Sequence, residues 1–491
     1  MTTADAGISS GDAAARAAHD STPPPKLVEF MMKDWAAAPH EPVAPYAHAA
    51  ATRARRARLS AQYPRAVLVV PSGGLKVRSN DEHYPFRACS DFVYLTGNQD
   101  PDAVLVMVPQ DAGHRAVLFV DHNPGKTDAT FFTDRLKGEL WEGARPGVEH
   151  AAARYQCDDT RALSTLRAFL QEVLPAAEEP PVRVLRGHAA ELEGWIGRES
   201  EAQRGLDRDF GVFLSELRLL KDEGEIAELR AAIDLTKQGF EDVIRKLRAA
   251  HNERELETAF YARARQDGNG PGYQTIVAAG AHACTLHWRR NNGAVRPGEL
   301  LLLDAGVENR ALYTADITRV LPVSGRFSAE QREIYLLVLA AQQAALDEVR
   351  PGTDFMEPNR AAMKVLAHGL ADLGILPCSA QEALKDEHQF YRRYSLHNIS
   401  HMLGLDVHDC AKARAEVYKY GPLVAGMVLT IEPGLYFQPD DLTVPERYRG
   451  IGVRIEDDVL VTATGHSNLS AHIPKDPDEV ERWMAQVWAA G

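Results

Sequence analysis

The sequence predicts an α/β (α+β) protein in which an amino-terminal α/β domain precedes a larger domain made of two similar halves. In the first part of the chain, short apolar runs such as AVLVVPSG, AVLVMVP and RAVLFVD alternate with turn residues and helical segments, as is typical of α/β domains. In the second part, residues 298–306 (GELLLLDAG) and 426–434 (GMVLTIEPG) align without a gap. An internal repeat of this kind indicates a duplicated structural unit.

The amino-terminal region divides into two segments by composition. Residues 1–26 are rich in Ala, Ser, Gly and Asp and end in PPPK, which predicts a flexible leader. The following residues, up to about position 60, have a helical and basic pattern around TRARRARLS. We interpret these arginines as a solvent-exposed helix face, since exposed arginines are far commoner than contacts with nucleic acid.

Four further helices are predicted by apolar residues that recur at helical spacing. The first covers residues 226–247, and the second contains ELETAFYARARQ and ends at Asp267. The other two contain AEQREIYLLVLAAQQAALDEV and NRAAMKVLAHGLADLG. Between the two pairs, GYQTIVAAGAHACTLHW predicts two strands whose turn places His287 just before the first strand of the repeat.

Composition and charge narrow the function classes. The 491 residues carry a formal net charge of −14 and no dense basic run, so nucleic acid and anionic membranes are poor partners. The five cysteines are odd in number, scattered and free of any CxxC motif, which favours a reducing compartment. Because no signal-like segment and no apolar run approaching about 18 residues is present, we expect a soluble cytoplasmic protein.

The most unusual stretch is residues 397–409, HNISHMLGLDVHD, with three of the chain's 18 histidines. His397 and His401 are four apart, on one face of either a helix or a strand. A zinc-protease helix would carry Glu directly after its first histidine, and this chain has Asn398 there. By themselves, these residues are equally consistent with surface or core histidines and with metal ligands.

Four carboxylates lie at the end of a short strand-like run or inside one: Asp304, Asp316, Glu432 and Glu456. In each half of the repeat, an acid follows the first glycine by six residues, and a second strand with an acid inside it comes next. A carboxylate is costly to bury unless something positive meets it. One such acid is explained by a salt bridge, but four with a histidine favour a metal cage.

These residues resemble the complete site of the M24 metallopeptidases, whose fold is called pita-bread. With Ser400 before His401, the histidine segment is most similar to the aminopeptidase P group. The resemblance covers about residues 215–470, and more loosely 60–150, where RACSDFVYLTG and WEGARPG are similar to that group's amino-terminal domain. It implies an amino-terminal α/β domain over residues 27–212 and a pseudo-symmetric pita-bread catalytic domain over residues 213–491.

The resemblance also implies a dinuclear metal site. Its expected ligands are Asp304, Asp316, His401, Glu432 and Glu456. Four carboxylates exceed the charge of one divalent ion, and an oxygen-rich site with one nitrogen suits Mn²⁺, with Co²⁺, Fe²⁺ and Zn²⁺ as competitors. In the family the nucleophile is a metal-bridging hydroxide, with Glu432 handling its proton.

Four other residues receive roles from the same resemblance. His408 matches the histidine that stabilises the tetrahedral oxyanion, and His287 and His397 match the pair that lines the pocket for the proline ring. Arg454 matches a supporting residue that pairs with nearby acids. The chain departs from the pattern at Asn398, where most relatives have Gly, and this difference bears on substrate preference.

The implied activity is hydrolysis of the N-terminal Xaa-Pro bond of peptides whose second residue is proline. The alternatives are a prolidase, which cleaves Xaa-Pro dipeptides, a creatinase-like hydrolase without metal, and a non-catalytic relative that binds peptides or proteins. Ser400 and the large amino-terminal domain disfavour the first, and the full ligand set disfavours the other two. The family also forms homodimers and homotetramers, in which the segment of Trp141 can reach a neighbouring subunit's active site.

Overall fold

A computed structural model of the chain describes residues 22–36, 42–123, 125–174 and 180–490. The chain forms two compact units that divide between Leu214 and Ser215, near the predicted boundary at 212/213. Most of the predicted leader, residues 1–21, lies outside the described residues. Within the described ranges, we find no helix that combines the length and apolar character needed to cross a membrane.

The first unit is organised around a five-stranded mixed sheet in the order β6-β5-β4-β1-β7. The five strands are β1 (Val67–Pro71), β4 (Val104–Pro109), β5 (His114–Val120), β6 (Asp159–Ala162) and β7 (Val182–Val184). The short strands β2 (Val77–Ser79) and β3 (Glu82–His83) form a separate two-stranded sheet. Strands β1 and β7 are parallel, as are β5 and β6, whereas β4 is antiparallel to both of its neighbours. The prediction of an α/β fold is therefore confirmed for this unit.

Helices precede, separate and follow these strands along the chain of the first unit. They are α1 (Pro25–Met31), α2 (Ala49–Gln62), α3 (Ser90–Thr96), α4 (Thr130–Thr133), α5 (Glu139–Glu142), α6 (Gly147–Tyr155), α7 (Leu166–Val173), α8 (Ala190–Ile196) and α9 (Glu201–Leu217), the last of which ends beyond the division. Apolar side chains of the strands and of α7 and α8 pack in one core, with Val69, Val106, Phe119, Phe169 and Leu192 among its buried members.

The prediction that the arginines of α2 are solvent-exposed is wrong for two of them. Arg55 and Arg56 are only 6% and 4% exposed. Their guanidinium groups donate to the carbonyls of Tyr94 (3.1 Å) and Leu95 (2.7 Å) in the last turn of α3. The last carbonyls of a helix have no partner within it, so these two arginines cap α3. A pattern read along α2 alone could not reveal this long-range contact.

The second unit alternates pairs of helices with small antiparallel sheets. Its helices are α10 (Glu223–Leu247), α11 (Glu253–Asp267), α12 (Ala329–Asp347), α13 (Glu357–Asp372), α14 (Ala380–Ala383) and α15 (Pro477–Ala490). Its strands are β8 (Gly270–Pro271), β9 (Ile276–Ala279), β10 (Leu300–Ala305), β11 (Val307–Glu308), β12 (Ile317–Pro322), β13 (Val428–Ile431), β14 (Gly434–Tyr436), β15 (Gly452–Arg454), β16 (Asp457–Val461) and β17 (His466–Asn468). The four helices predicted by apolar spacing are confirmed as α10 to α13.

The two halves of this unit repeat one plan. In the first half α10 packs on α11, and in the second α12 packs on α13. Strand β10 is antiparallel to β12 in the first half, as β13 is to β16 in the second. The third strand differs, because β9 pairs with β10 whereas β17 pairs with β16. A shared apolar core includes Leu302, Val338, Leu366, Leu429 and Val459, drawn from both halves. The predicted duplication is confirmed.

One local prediction for the second unit is wrong. The segment before His287 contains a single strand, β9, and then a 3₁₀ turn over Gly280–Cys284, instead of two strands. Gly280 has φ +55°, and a Cβ at that position would lie 2.9 Å from the carboxylate of Glu299. The chain therefore turns sharply at a glycine and does not continue in an extended conformation.

The glycines of the repeat have matching structural reasons in the two halves. The first glycines, Gly298 and Gly426, have φ +87° and +96°, a backbone region that favours glycine. The last glycines allow close approach, because a Cβ at Gly306 would lie 1.7 Å from the carbonyl oxygen of Ala315 and one at Gly434 would lie 2.4 Å from the hydroxyl of Tyr436. In both halves, therefore, the first glycine provides a positive φ and the last one leaves room for a close neighbour.

We expect Gly306→Ala to lower the melting temperature of the protein much more than Gly298→Ala does. The methyl group at 298 has no heavy atom within 4 Å, so its cost is the strained backbone, about 1 kcal/mol. The methyl group at 306 overlaps a backbone carbonyl, and such overpacking costs about 3 kcal/mol or more. Thermal unfolding monitored by circular dichroism compares the two variants, and equal shifts would contradict the steric explanation.

Candidate metal centre

Antiparallel pairing brings the four predicted acids together in twos. Asp304 is the fifth residue of β10, and Asp316 directly precedes β12, which runs antiparallel beside it with Asp304 opposite Thr318. Glu432 directly follows β13, and Glu456 directly precedes β16. The end of one strand therefore lies beside the start of its partner in both halves. Asp316 and Glu456 thus precede their strands and do not lie inside them.

His401 reaches the same place from an extended segment alongside β13. The amide of Thr430 donates to the carbonyl of His401 (2.9 Å), and Met402 forms an isolated antiparallel bridge with Leu429. The ring Nδ1 of His401 lies 3.1 Å from the carbonyl oxygen of Met402 and donates to it. Because Nδ1 is held in this way, Nε2 is the ring nitrogen that can bind a metal once its proton is displaced, as in metal-binding histidines.

The free nitrogen of His401 faces carboxylates from both halves. Its Nε2 lies 3.3 Å from Oδ2 of Asp316 and 3.6 Å from Oε1 of Glu432. Asp316, His401 and Glu456 each offer a ligand atom, and these three atoms lie within 4.8 Å of one another. The hydroxyl of Tyr273 joins the remaining acid to this group, lying 2.7 Å from Oδ1 of Asp304 and 2.5 Å from Oδ1 of Asp316.

The acids interact so closely that they disfavour each other's ionisation. Burial, with the charges of Asp316 and Asp304, raises the pKa of Glu432 to about 7 in spite of the opposing charges of His401 and Arg454. Burial raises the pKa of Asp304 although Arg454 opposes the shift. Burial and the other three acids raise the pKa of Glu456 well above its usual range.

His401 shows the opposite balance. Burial disfavours its charged form, but Asp316 and Glu432 outweigh burial and raise its pKa. The cluster therefore attracts positive charge. Its donors are carboxylate oxygens with one imidazole nitrogen, the set that divalent ions such as Mn²⁺ accept. We conclude that these residues fit a divalent metal site.

Arg454 is the cation hydrogen-bonded into this cluster. Its Nη2 donates to Oδ2 of Asp304, and its Nε donates to Oγ1 of Thr318 at 3.2 Å. The hydroxyl of Thr318 in turn donates to Oε2 of Glu456 at 2.6 Å. One guanidinium against four carboxylates leaves a deficit of positive charge, as expected if metal ions complete the site.

His397 is locked in its neutral form beside the cluster. Its Nδ1 donates to the carbonyl of Asn398 (2.9 Å), and its Nε2 accepts from the hydroxyl of Tyr436 (2.8 Å), to which Arg454 also donates at 3.0 Å. Burial and the charge of Arg454 lower the pKa of His397 to about 4. At neutral pH it therefore presents an uncharged ring.

His287 and His408 are the exposed histidines of the predicted set. The rings of His408 and His401 meet edge to face with centroids 4.4 Å apart, and burial with the charge of His401 lowers the pKa of His408. Burial, Arg289 and Arg454 lower the pKa of His287. The ring of His408 therefore borders the cluster, and the lowered pKa values favour the neutral form of both histidines.

The segment of His408 is anchored by a buried ion pair. Nζ of Lys221 lies 2.8 Å from Oδ2 of Asp409, with side-chain exposures of 0% and 1%. Burial opposes the charge on Asp409, but Arg218 and Lys221 outweigh it and lower the pKa of the carboxyl group. Removing one member of such a pair leaves an uncompensated buried charge, so this contact holds the backbone next to His408 in place.

Four residues at the centre were not predicted from the sequence: Tyr273, Thr318, Tyr436 and Asp458. Tyr436 is the last residue of β14 and stands four residues after Glu432. Asp458 is the last acid of the run EDD, and its Oδ2 accepts from the amide of Asp316 at 3.2 Å. Tyr273 and Thr318 had no spacing signal, since only the folded chain brings them to the acids.

Comparison with family models assigns both parts of the chain. Residues 227–463 match the metallopeptidase family M24, and residues 52–182 match the aminopeptidase P N-terminal domain. These matches agree with the resemblance stated from the motifs, in the strongly similar region and in the loosely similar one.

Relatives match over nearly the full length. Xaa-Pro aminopeptidase 1 of Streptomyces coelicolor is 50% identical over 466 residues, which cover 94% of this chain and 92% of that protein. The Xaa-Pro aminopeptidase of Escherichia coli is 36% identical over 88% of this chain and 96% of that protein. A structure of zinc-substituted E. coli aminopeptidase P in complex with product superposes with a TM-score of 0.80 at 34% identity, covering 90% of this chain and 99% of that one.

We predict that divalent metal binding to the chelator-stripped protein releases protons and becomes tighter as pH rises from 6 to 8. The raised pKa values of Glu432 and Glu456 mean that these groups hold protons that a metal must displace. Titration calorimetry with Mn²⁺ in two buffers of different ionisation enthalpy measures the release. An affinity that is independent of pH, with no proton release, would show that the acids are not the ligands.

Proposed function

The chain belongs to metallopeptidase family M24, and on that premise we propose that it is an Xaa-Pro aminopeptidase, a hydrolase that removes the first residue of peptides whose second residue is proline. The observation that supports this most directly is the convergence of four acids and His401 from both halves of the second unit. Full-length relatives with this name, one of them 50% identical, support the same activity.

The family implies a divalent metal cofactor, and we propose two Mn²⁺ ions held by Asp304, Asp316, His401, Glu432 and Glu456. The number two follows from charge, because four carboxylates exceed what one divalent ion balances. The oxygen-rich donor set suits Mn²⁺ as well as Co²⁺, Fe²⁺ or Zn²⁺, and the resemblance to the family favours manganese among them. When bound, such ions polarise the scissile carbonyl and make water a nucleophile near neutral pH.

The protein's own groups then manage protons and charge. Glu432, which lies beside His401 among the acids, accepts the proton of the attacking water as the oxygen–carbon bond forms. It returns that proton to the proline nitrogen as the carbon–nitrogen bond breaks. His408, neutral because its pKa is lowered, donates a ring N–H to the carbonyl oxygen as negative charge develops there.

Recognition of proline is assigned to His287 and His397. An Xaa-Pro bond has no N–H, so a pocket for it must select the ring by shape and polarity. His397 satisfies both ring nitrogens with Asn398 and Tyr436, which leaves its uncharged face for contact. Arg454 donates hydrogen bonds to both Tyr436 and Asp304, and so fixes the position of His397 relative to the acids.

We also propose a cytoplasmic homodimer or homotetramer. Five free cysteines in the described residues are compatible with a reducing compartment. Trp141 is 48% exposed, with its ring under the guanidinium of Arg135 at 4.7 Å; a large exposed aromatic side chain is typical of association surfaces. Light scattering distinguishes the dimer and tetramer from a monomer.

The activity is tested with two peptides. We expect the Mn²⁺-loaded protein to cleave Arg-Pro-Pro after the first residue, to lose this activity on chelation and to regain it with Mn²⁺. Cleavage of Ala-Pro alone would indicate a prolidase. Cleavage of neither peptide would indicate a relative that only binds.

Two substitutions separate metal binding from catalysis. Asp316→Ala removes a ligand that faces His401 at 3.3 Å, so both the metal content and the activity should fall nearly to zero. His408→Ala should retain the metal but lower kcat by about 100-fold, the usual cost of losing one oxyanion donor. Elemental analysis and steady-state kinetics compare the variants, and wild-type turnover in His408→Ala would show that this histidine is structural.

A further inference from the structure

Glu253, the first residue of α11, is a buried carboxylate that the chemistry above does not use. Its exposure is 0%. Oε1 accepts from the amide of Ala279 and lies 2.8 Å from Nδ1 of His282, and Oε2 accepts from Nε1 of Trp288 at 2.8 Å and from the amide of Gly293 at 2.6 Å. A carboxylate can only accept, so Nδ1 of His282 carries the hydrogen and all four partners are donors.

These four donors span the loop that carries His287. Ala279 ends β9, His282 and Trp288 lie on the loop, and Gly293 lies near its end. The rings of His282 and Trp288 stack with centroids 3.8 Å apart. A Cβ at Gly293 would lie 2.3 Å from the ring of His282 and 2.9 Å from Oε1 of Glu253. The carboxylate of Glu253 therefore holds both ends and the middle of this loop through hydrogen bonds.

His287 depends on this arrangement for its position. Its ring is exposed, and among the described residues no hydrogen bond to it is found. The side chain of the next residue, Trp288, is held by its hydrogen bond to Glu253. The position of His287 therefore depends on the loop that carries it.

We propose that Glu253 is a positioning residue that fixes His287 at the proline pocket and thereby sets affinity for peptides with proline in second position. This inference rests on the proposed function for its effect on substrate. The claim that Glu253 orders the loop does not depend on the proposed function. Glutamine cannot replace Glu253, because its amide NH₂ would face two of the four donors, and a buried unsatisfied pair is costly.

The experiment compares E253Q with the wild type on Arg-Pro-Pro. We expect KM to rise about tenfold, with kcat changed by less than about twofold and metal content unchanged, because uniform binding is lost. On an H287A background, E253Q should raise KM no further, since both changes remove the same contact. An unchanged KM in E253Q, or an effect that adds fully to that of H287A, would overturn the proposal.

Two control variants keep the result interpretable. Asn252→Ala removes the N-cap that accepts from the amide of Glu255 (3.2 Å), so it weakens the same helix without touching the carboxylate, and only the melting temperature should fall. Trp288→Phe removes one donor and keeps a ring, so KM should rise less than in E253Q. This variant also decides the matter if E253Q does not fold, since an unchanged KM in it would overturn the proposal.

Hydrogen exchange separates this inference from the proposed function. Exchange over residues 280–293 should rise in E253Q and not in Asn252→Ala, whether or not either peptide is cleaved. If the wild type cleaves neither peptide, the proposed function fails and the exchange result alone decides whether Glu253 orders the loop. Unchanged exchange in E253Q would refute the positioning role directly.

Discussion

The second unit depends on one constraint, the burial of four carboxylates within reach of one another. Such a cluster resists ionisation, as the raised pKa values of Asp304, Glu432 and Glu456 show. Arg454 and His401 offset only part of the negative charge. Protons or bound cations relieve this repulsion, so a fold that binds metal here must both hold the acids in place and leave that position open.

The duplicated halves meet this constraint by supplying two acids each. In each half an antiparallel strand pair places an acid at the end of one strand beside an acid at the start of the next. Bringing the two pairs together gives four carboxylates, two from each half. Buried networks then fix their orientation, and Thr318, which Arg454 and Glu456 both contact, links β12 of the first half to the second half.

Much of this centre was predictable, since the acids follow glycine at a repeated spacing and the histidines stand together in HNISHMLGLDVHD. The four long helices and the duplication were predictable for the same reason, because periodicity is a local signal. Tyr273, Glu253 and the capping arginines Arg55 and Arg56 were not. Their partners are distant in sequence, and their significance arises only when the chain folds. The turn at Gly280 was mistaken for a strand because its apolar residues satisfy either conformation.

The most direct test of this account is anomalous X-ray diffraction from crystals of the Mn²⁺-loaded protein, measured on both sides of the manganese absorption edge. The account predicts two neighbouring peaks, both surrounded by Asp304, Asp316, His401, Glu432 and Glu456. A single peak would refute the charge argument for two ions. The absence of any peak among these five side chains would contradict the central claim that the two halves meet to bind metal.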